Sequence, residues 1–370
     1  MSNTAYQVKK KKEIRTPRED QFWMPGEFAV HRGCWMLWPE RVDWWRVGAR
    51  PAQAAFAAVA VAIARFEPVR MGFSAEKYPI ARAMLPASID VIRLDYNDSW
   101  MRDNGPTYVT NGKGEIRGID WDFNAWGGHY RDFAADDALA KQVLALDGIG
   151  RYKAPLVMEG GSIDVDGDGT LIVTEQCLLN PNRNPHLNRD EIEAYLVAYL
   201  NVEKVIWLQN GVYNDETSGH VDNLCCFVRP TVVALTWTDD ESDPQHAISQ
   251  AAYEQLSQMC DAKGRPLTVH KIHQPTPIYF SAEEIAGIAQ TTDNGTRPRK
   301  VGDRLAASYI NYYVANGGVV VPQFGDQHDA AALTKIAALF PDREVVGVFA
   351  REILLGGGNI HCITQQIPQG

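Results

Sequence analysis

The sequence predicts an α/β protein built from repeated hairpin–helix–strand units that close into a ring. Three observations point there. Short β-prone runs separated by Asn-, Asp- or Gly-rich turns recur, each pair followed by one helical stretch and a further strand. The first such unit is one strand short. The chain ends in a strand, Asn359 to Gln365, that no helix follows. If this strand completes the first unit, radial repetition covers the open sheet edges. An ordinary α/β sheet in two halves is the alternative, and it would leave Cys362 far from the first unit.

The incomplete first unit is Cys34 to Trp38, a helix from Pro51, then Val69 to Phe73. Proline at that position suits a first helical turn. The apolar stretch Ala54 to Ala64 is too short to span a bilayer, which takes about 20 residues. A second unit runs Thr107 to Thr110, a turn at Asn111-Gly112, Glu115 to Trp121, a helix over Asp136 to Leu146, and a weak strand near Tyr152. The third is the clearest. Ser162 to Val165 and Thr170 to Thr174 flank the turn Asp166-Gly167-Asp168-Gly169. Asn188 then caps a helix with Glu191 at the capping-box position, and Ile192, Tyr195, Leu196, Tyr199 and Leu200 form its apolar stripe before the strand Val205 to Leu208. The fourth is Val221 to Val228, a turn at Arg229-Pro230, Val232 to Trp237, a helix over Ala247 to Cys260 and Leu267 to Ile272. The fifth is Ser308 to Ala315, a turn at Asn316-Gly317-Gly318, Val319 to Phe324, a helix over Ala330 to Phe340 and Glu344 to Phe349.

Composition narrows the class. The 370 residues are 45% apolar and 22% charged, enough to bury a large core. Six cysteines are too few for a disulfide scaffold. A net charge of −10 argues against nucleic-acid binding, which needs basic surface. Lys9 to Lys12 are basic, but no apolar run follows them, so no secretory signal is read there. The expectation is a cytoplasmic protein with reduced thiols and no membrane partner.

Asp164-x-Asp166-x-Asp168-Gly169 followed by Glu175 fits the EF-hand expression. Its flanks are β-branched and Gly-rich rather than helical, so a hairpin turn is expected, with a calcium-binding module as the distant alternative. Cys225 and Cys226 are adjacent in a strand and face opposite ways, which excludes a chelating pair. Cys362 differs from the other cysteines. It follows Gly356-Gly357-Gly358-Asn359-Ile360-His361, a polar, Gly-rich setting that suits an accessible, reactive thiol. His220 and Asp222, two apart, would share a strand face and offer the thiol a base with a carboxylate. Asp103 and Glu159 each lie beside glycine at the mouth of a hairpin. A cysteine among carboxylates suits a permanently cationic substrate such as a guanidinium.

These residues resemble a known family. Met24-Pro25-Gly26-Glu27, Trp35 to Pro39, Trp100-Met101-Arg102-Asp103, Trp121 to Gly128, Glu159-Gly160-Gly161-Ser162, Leu178 to Pro185, Glu216 to Asp222 and Gly356 to Gln366 are similar to the agmatine deiminases of the guanidine-modifying (pentein) superfamily. The resemblance implies a five-fold pseudosymmetric α/β propeller of ββαβ units over residues 23–370, after a basic arm at 1–22. It implies hydrolysis of agmatine to N-carbamoylputrescine in polyamine synthesis, with no metal or organic cofactor and a homo-oligomeric assembly. Cys362 would be the nucleophile and His220 the general acid/base. Asp103 and Asp222 would bind the guanidinium, Glu159 would support His220, Trp100 would wall the slot, and Glu216 would receive the far amine. Ser218 stands where the family often has Asn. Deiminases of arginine, methylated arginine or peptidyl arginine are the competing activities.

Overall fold

The structure is a computed structural model that describes residues 15–289 and 295–370. Lys9 to Lys12 lie outside the described residues. Among those described, sixteen strands form five separate sheets. The first sheet holds β1 (His31–Leu37), β2 (Val69–Phe73) and β3 (Asp90–Arg93). The next three are β4 (Thr107–Thr110), β5 (Ile116–Asp122) and β6 (Gly150–Val157); β7 (Asp164–Val165), β8 (Thr170–Thr174) and β9 (Lys204–Leu208); and β10 (Cys225–Arg229), β11 (Val232–Trp237) and β12 (Thr268–His273). The fifth is β13 (Tyr313–Ala315), β14 (Gly318–Gln323) and β15 (Glu344–Phe349), and β16 (Thr364–Pro368) ends the chain.

One pairing rule repeats. In each complete unit the first two strands form an antiparallel hairpin, and the third runs parallel to the second. A parallel neighbour needs a crossover, and a helix supplies it. These are Arg50–Ile63, Leu139–Leu146, Arg189–Leu200, Pro244–Ser257 and Asp329–Leu339. The first unit obeys the same rule only through the chain terminus: β16 is antiparallel to β1, with Trp35 opposite Gln365, and β2 is parallel to β1. The missing strand is therefore the last one, and Cys362 lies directly before it.

Local chemistry explains the helices. Asn188 accepts from Glu191 N while Glu191 accepts from Asn188 N, a full capping box. That helix buries Ile192, Leu196, Tyr199 and Leu200, with Tyr195 only partly covered. Asp243 caps the helix Pro244–Ser257, which starts earlier than the sequence suggests because Pro244 fits its first turn. Cys225 and Cys226 do face different packing clusters, and all six cysteines are free.

Four strands begin later than expected. Ser162, Val221 to Leu224, Ser308 to Tyr312 and Asn359 to Ile363 lie outside the strands, and most of them form turns. Gly160–Ser162 and Val221–Asn223 are 3₁₀ turns. His220 and Asp222 therefore do not share a strand face. A 3₁₀ turn begins right after His220, and the two side chains converge through tertiary packing instead. Apolar, buried residues such as Val221 and Leu224 give these lead-ins the look of strands although their backbones turn.

The EF-hand-like stretch is a hairpin. Asp166 accepts from Asp168 N and Thr170 N across the turn, Asp164 accepts from Phe227 N, and Asp168 pairs with Lys263 and Arg265. Residues 15–22 pack on the body rather than standing away from it: Pro17 and Phe22 are buried, and Arg18 N donates to Ala198 O at 3.1 Å. Among the described residues no helix is long and apolar enough to cross a membrane.

Candidate active site

The irregular lead-ins of all five units meet. Arg102 N, ahead of β4, donates to Cys362 O at 3.2 Å, ahead of β16. Gly161 N, ahead of β7, donates to Asp103 Oδ1 at 2.9 Å. Asn359 Nδ2 donates to Asn223 Oδ1 at 3.3 Å, and His361 N donates to Asn311 Oδ1 at 3.0 Å, ahead of β13. The lead-ins of all five units therefore share one cluster.

Gly161 sets the spacing at the centre. A Cβ there would lie 2.6 Å from His220 Nδ1, 2.9 Å from Asp222 Oδ2 and 3.0 Å from Asp103 Oδ1. No side chain fits, so the backbone itself floors the space between a histidine and two carboxylates. Cys362 Sγ is 3.5 Å from Asp222 Oδ2 and receives the Asn311 amide at 3.3 Å. Burial pushes the thiol well above its ordinary range, and Asp222 and Asp103 push it further.

His220 is fully buried. Its Nε2 is 3.4 Å from Glu159 Oε2, while its Nδ1 lies 3.9 Å from Asp103 Oδ1 and has no hydrogen-bond partner among the described residues. Burial opposes a charge on the ring, yet Asp103, Cys177 and Glu159 together outweigh it and favour the imidazolium. Glu159 is held in turn by Arg183, whose Nε donates at 2.7 Å. Burial would raise this carboxyl, but Arg183 and then His220 bring it down to about 2. Asp103 is the opposite case. Burial raises it to about 6, Asp222 and Glu159 add to the rise, and His220 and the Gly161 N–H oppose it. Its Oδ2 accepts from Trp126 Nε1 at 2.9 Å. Asp222 stays low because His361 and His220 outweigh its burial. Its Oδ2 accepts from His361 Nδ1 at 2.9 Å, and its buried Oδ1 has no partner among the described residues.

A slot of about 280 Å³ leads to Cys362 between Trp44, Trp100 and Trp126. Trp100 lines this slot. Its Nε1 donates to Asp98 Oδ2 at 2.8 Å, and its ring stacks on Trp45 with centroids 5.3 Å apart. Gly358 permits this: a Cβ there would come within 2.5 Å of Trp100. Glu216 lines the outer part of the slot. Its carboxylate is already clasped by Arg299, through Nε at 3.1 Å and Nη2 at 2.8 Å. Arg299 also donates to Trp44 O and Gly356 O and lies over the Trp44 ring. Asp215 is spent on the loop itself, accepting from Thr217 and from His220 N.

The structure thus brings Cys362, His220, Asp103, Glu159 and Asp222 together, with Trp100 and Glu216 along the approach. Sequence reasoning missed Trp126, Arg183 and Asn311, which touch Asp103, Glu159 and Cys362. The one usable signal was that Trp126 and Arg183 fall inside the motifs Trp121 to Gly128 and Leu178 to Pro185. Cys177 is buried as expected, but it also lies beside His220. Glu159, Cys177 and His220 offer ligand atoms within 4.8 Å of one another. The Arg183 guanidinium bound to Glu159 places a positive charge there and disfavours a metal ion. Ser218, with φ +68°, accepts from Asn182 Nδ2 at 3.3 Å, so it adjusts the loop before His220 and removes none of these groups.

Residues 23–368 match the Porphyromonas-type peptidyl-arginine deiminase family. An agmatine deiminase of Ectopseudomonas mendocina is 54% identical over 359 residues, covering 95% of this chain and 97% of that one. One of Pseudomonas aeruginosa is likewise 54% identical, with the same coverage. The solved structure of an agmatine deiminase of Enterococcus faecalis superposes with a TM-score of 0.93 at 45% identity, covering 96% of this chain and 98% of that one. The chain belongs to the Porphyromonas-type peptidyl-arginine deiminase family, beside relatives that carry the agmatine deiminase name.

Proposed function

We propose that this protein hydrolyses agmatine to N-carbamoylputrescine and ammonia through a covalent amidino-thioether on Cys362. One observation carries the reading: where the Cys362 thiol meets Asp222 Oδ2, two buried polar atoms, Asp222 Oδ1 and His220 Nδ1, have no partner among the described residues. A buried polar atom left unsatisfied costs about 1–3 kcal/mol, more when charged. A planar guanidinium with several N–H donors relieves that cost at the carboxylate and sets its central carbon against the thiol.

In this mechanism Asp103 and Asp222 hold the guanidinium. The cation offsets the anionic field that raises the thiol, and Cys362 releases its proton to solvent, where the ammonia set free later takes it up as ammonium. The thiolate sulfur attacks the guanidinium carbon and forms a tetrahedral adduct. Nδ1–H of the His220 imidazolium protonates the departing amino group, the C–N bond breaks, and ammonia leaves. Neutral His220 then removes a proton from water as its oxygen attacks the amidino carbon. Collapse breaks the C–S bond, releases the carbamoyl product and restores the thiol. Glu159, fixed by Arg183, keeps His220 oriented and charged in the first half.

The relatives' name supports agmatine, and so does the outer slot. Four hydrogen bonds already occupy the Arg299 guanidinium, so it is a poor partner for the α-carboxylate of arginine. Glu216 is assigned the far ammonium of agmatine, shared with Arg299. The product lies on the route to putrescine. Residues 23–370 work as one domain, with homo-oligomer formation to be read by light scattering. Six free cysteines suit the reducing cytoplasm, and the acidic balance gives no purchase for nucleic acid. Incubation with agmatine, arginine, methylated arginine and an arginyl peptide, followed by ammonia and product detection, tests the reading. Turnover of agmatine with the highest kcat/KM is expected. A preference for any of the others overturns it.

A further inference from the structure

Glu27 belongs to a segment with no role in the steps above, yet it reaches the site. Its carboxylate accepts from His361 Nε2 at 2.9 and 3.0 Å and from Arg102 Nη1 at 2.7 Å. His361 Nδ1 donates to Asp222 Oδ2 at 2.9 Å. The ring therefore bridges two carboxylates, one through each nitrogen, and it can donate to both only as the imidazolium. Arg102 completes the frame, with its Nε toward His361 O at 3.4 Å and its N donating to Cys362 O at 3.2 Å. His361 and Arg102 are buried, and His361 immediately precedes Cys362.

We infer that His361 is a positioning residue, locked as an imidazolium by Glu27, which fixes Asp222 through Oδ2 so that Oδ1 alone faces the substrate and which offsets the Asp222 charge felt by the Cys362 thiol. Glu27 acts one step further out, as the anchor of the relay. The geometry accounts for the asymmetry of Asp222, one oxygen bonded and the other bare. It also accounts for a histidine at this place: a lysine ammonium cannot present two donors in opposite directions along one rigid ring.

The groups facing His361 are Glu27, Asp222, Arg102 and the Cys362 thiol, with Asp164 close enough to act on it. Burial and Arg102 oppose its charge, but Glu27 and Asp222 prevail and raise it to about 9. The relay is thus intact at neutral pH and is lost as pH rises through that value.

The inference rests on the deiminase reading for its kinetic test only. ¹⁵N-histidine NMR of the full-length wild-type protein, with His361 assigned from the signal absent in His361→Asn, needs no substrate. Both ring nitrogens should carry protons at pH 8. A neutral tautomer at pH 8 overturns the proposal, whether or not agmatine is turned over. Glu27→Gln keeps the shape and removes the charge. With agmatine its kcat/KM should fall about tenfold, the scale of one charge-assisted hydrogen bond. The alkaline limb of its pH profile should move to lower pH, and Glu27→Asp should restore part of both. An alkaline limb unchanged in folded Glu27→Gln overturns the relay. If that variant does not fold, the wild-type NMR result decides.

Discussion

At the deep end of the slot Asp222 Oδ1 and His220 Nδ1 are buried without a partner among the described residues, whereas at the outer end Glu216 is met by two nitrogens of Arg299. Both ends contain carboxylates, and both were candidates for receiving a cation. The difference teaches where a ligand's charge is needed. An acid already satisfied by the chain contributes to the shape and stability of the wall. An acid left bare is destabilising until a cation arrives, so its cost is recovered in binding and in the transition state. Substitutions at the deep end should therefore register in kcat, and those at the outer end in stability and, through the ammonium contact that Glu216 shares with Arg299, in KM.

The largest effects test the deep end. Cys362→Ser should lower kcat by at least about 10⁴-fold and abolish covalent labelling. Asp222→Asn should lower kcat/KM on the order of 10²–10³-fold, with little loss in thermal midpoint. A large thermal loss with near-normal kinetics would reverse the comparison. Trp126→Phe sharpens it through pH. Asp103 must be ionised to accept the guanidinium, so its value of about 6 sets an acid limb in kcat/KM, with activity lost as pH falls through it. Removing the Trp126 N–H destabilises the anion, raises that value and moves the limb upward by about half a unit to one unit. A downward move would show that another group sets the limb.

Smaller effects belong to the outer end. Glu216→Gln breaks the clasp with Arg299 and should cost about 1–3 kcal/mol of stability by denaturant titration. Its kcat should change less than about threefold, because no reacting atom is touched. A kcat loss rivalling that of Asp222→Asn would erase the distinction between the two ends. Smallest of all is Ser218→Asn. Ser218 sits in the left-handed region, which Asn tolerates better, so a gain of a few tenths to about 1 kcal/mol with unchanged kcat is expected.

The site was legible to different depths. Cys362 stood out because three glycines and a polar neighbourhood are unusual around a cysteine. His220 and Asp222 were paired for a reason that does not hold: strand alternation was expected, and a 3₁₀ turn is what carries Asp222. Their partnership survives because packing of the lead-ins, not strand geometry, brings them together. Asn311 and Arg183 could not be read as parts of the site. Each meets its partner across a long stretch of chain, Asn311 to Cys362 and Arg183 to Glu159, and neither has a local pattern that names the other end of the contact. Glu216 was legible as an acid near the slot, but its neutralisation was not, because Arg299 lies far along the chain.

The sequence by itself determined the repeated unit. Hairpin turns such as Asn111-Gly112 and Asn316-Gly317, the capping box at Asn188 and Glu191, and the apolar stripe of the following helix act over a few residues, where backbone geometry and periodicity are fixed by neighbours in the chain. It also left a first unit one strand short and a last strand unpaired, which suggested closure, and the pairing of β16 with β1 supplies it. Tertiary structure alone decided which charges cancel and which stay bare. Electrostatics and hydrogen bonding depend on distances of a few ångströms between residues tens to hundreds apart in the chain. Only the docking of five lead-ins sets those distances, and it leaves Asp222 Oδ1 open beside Cys362 while closing Arg299 over Glu216.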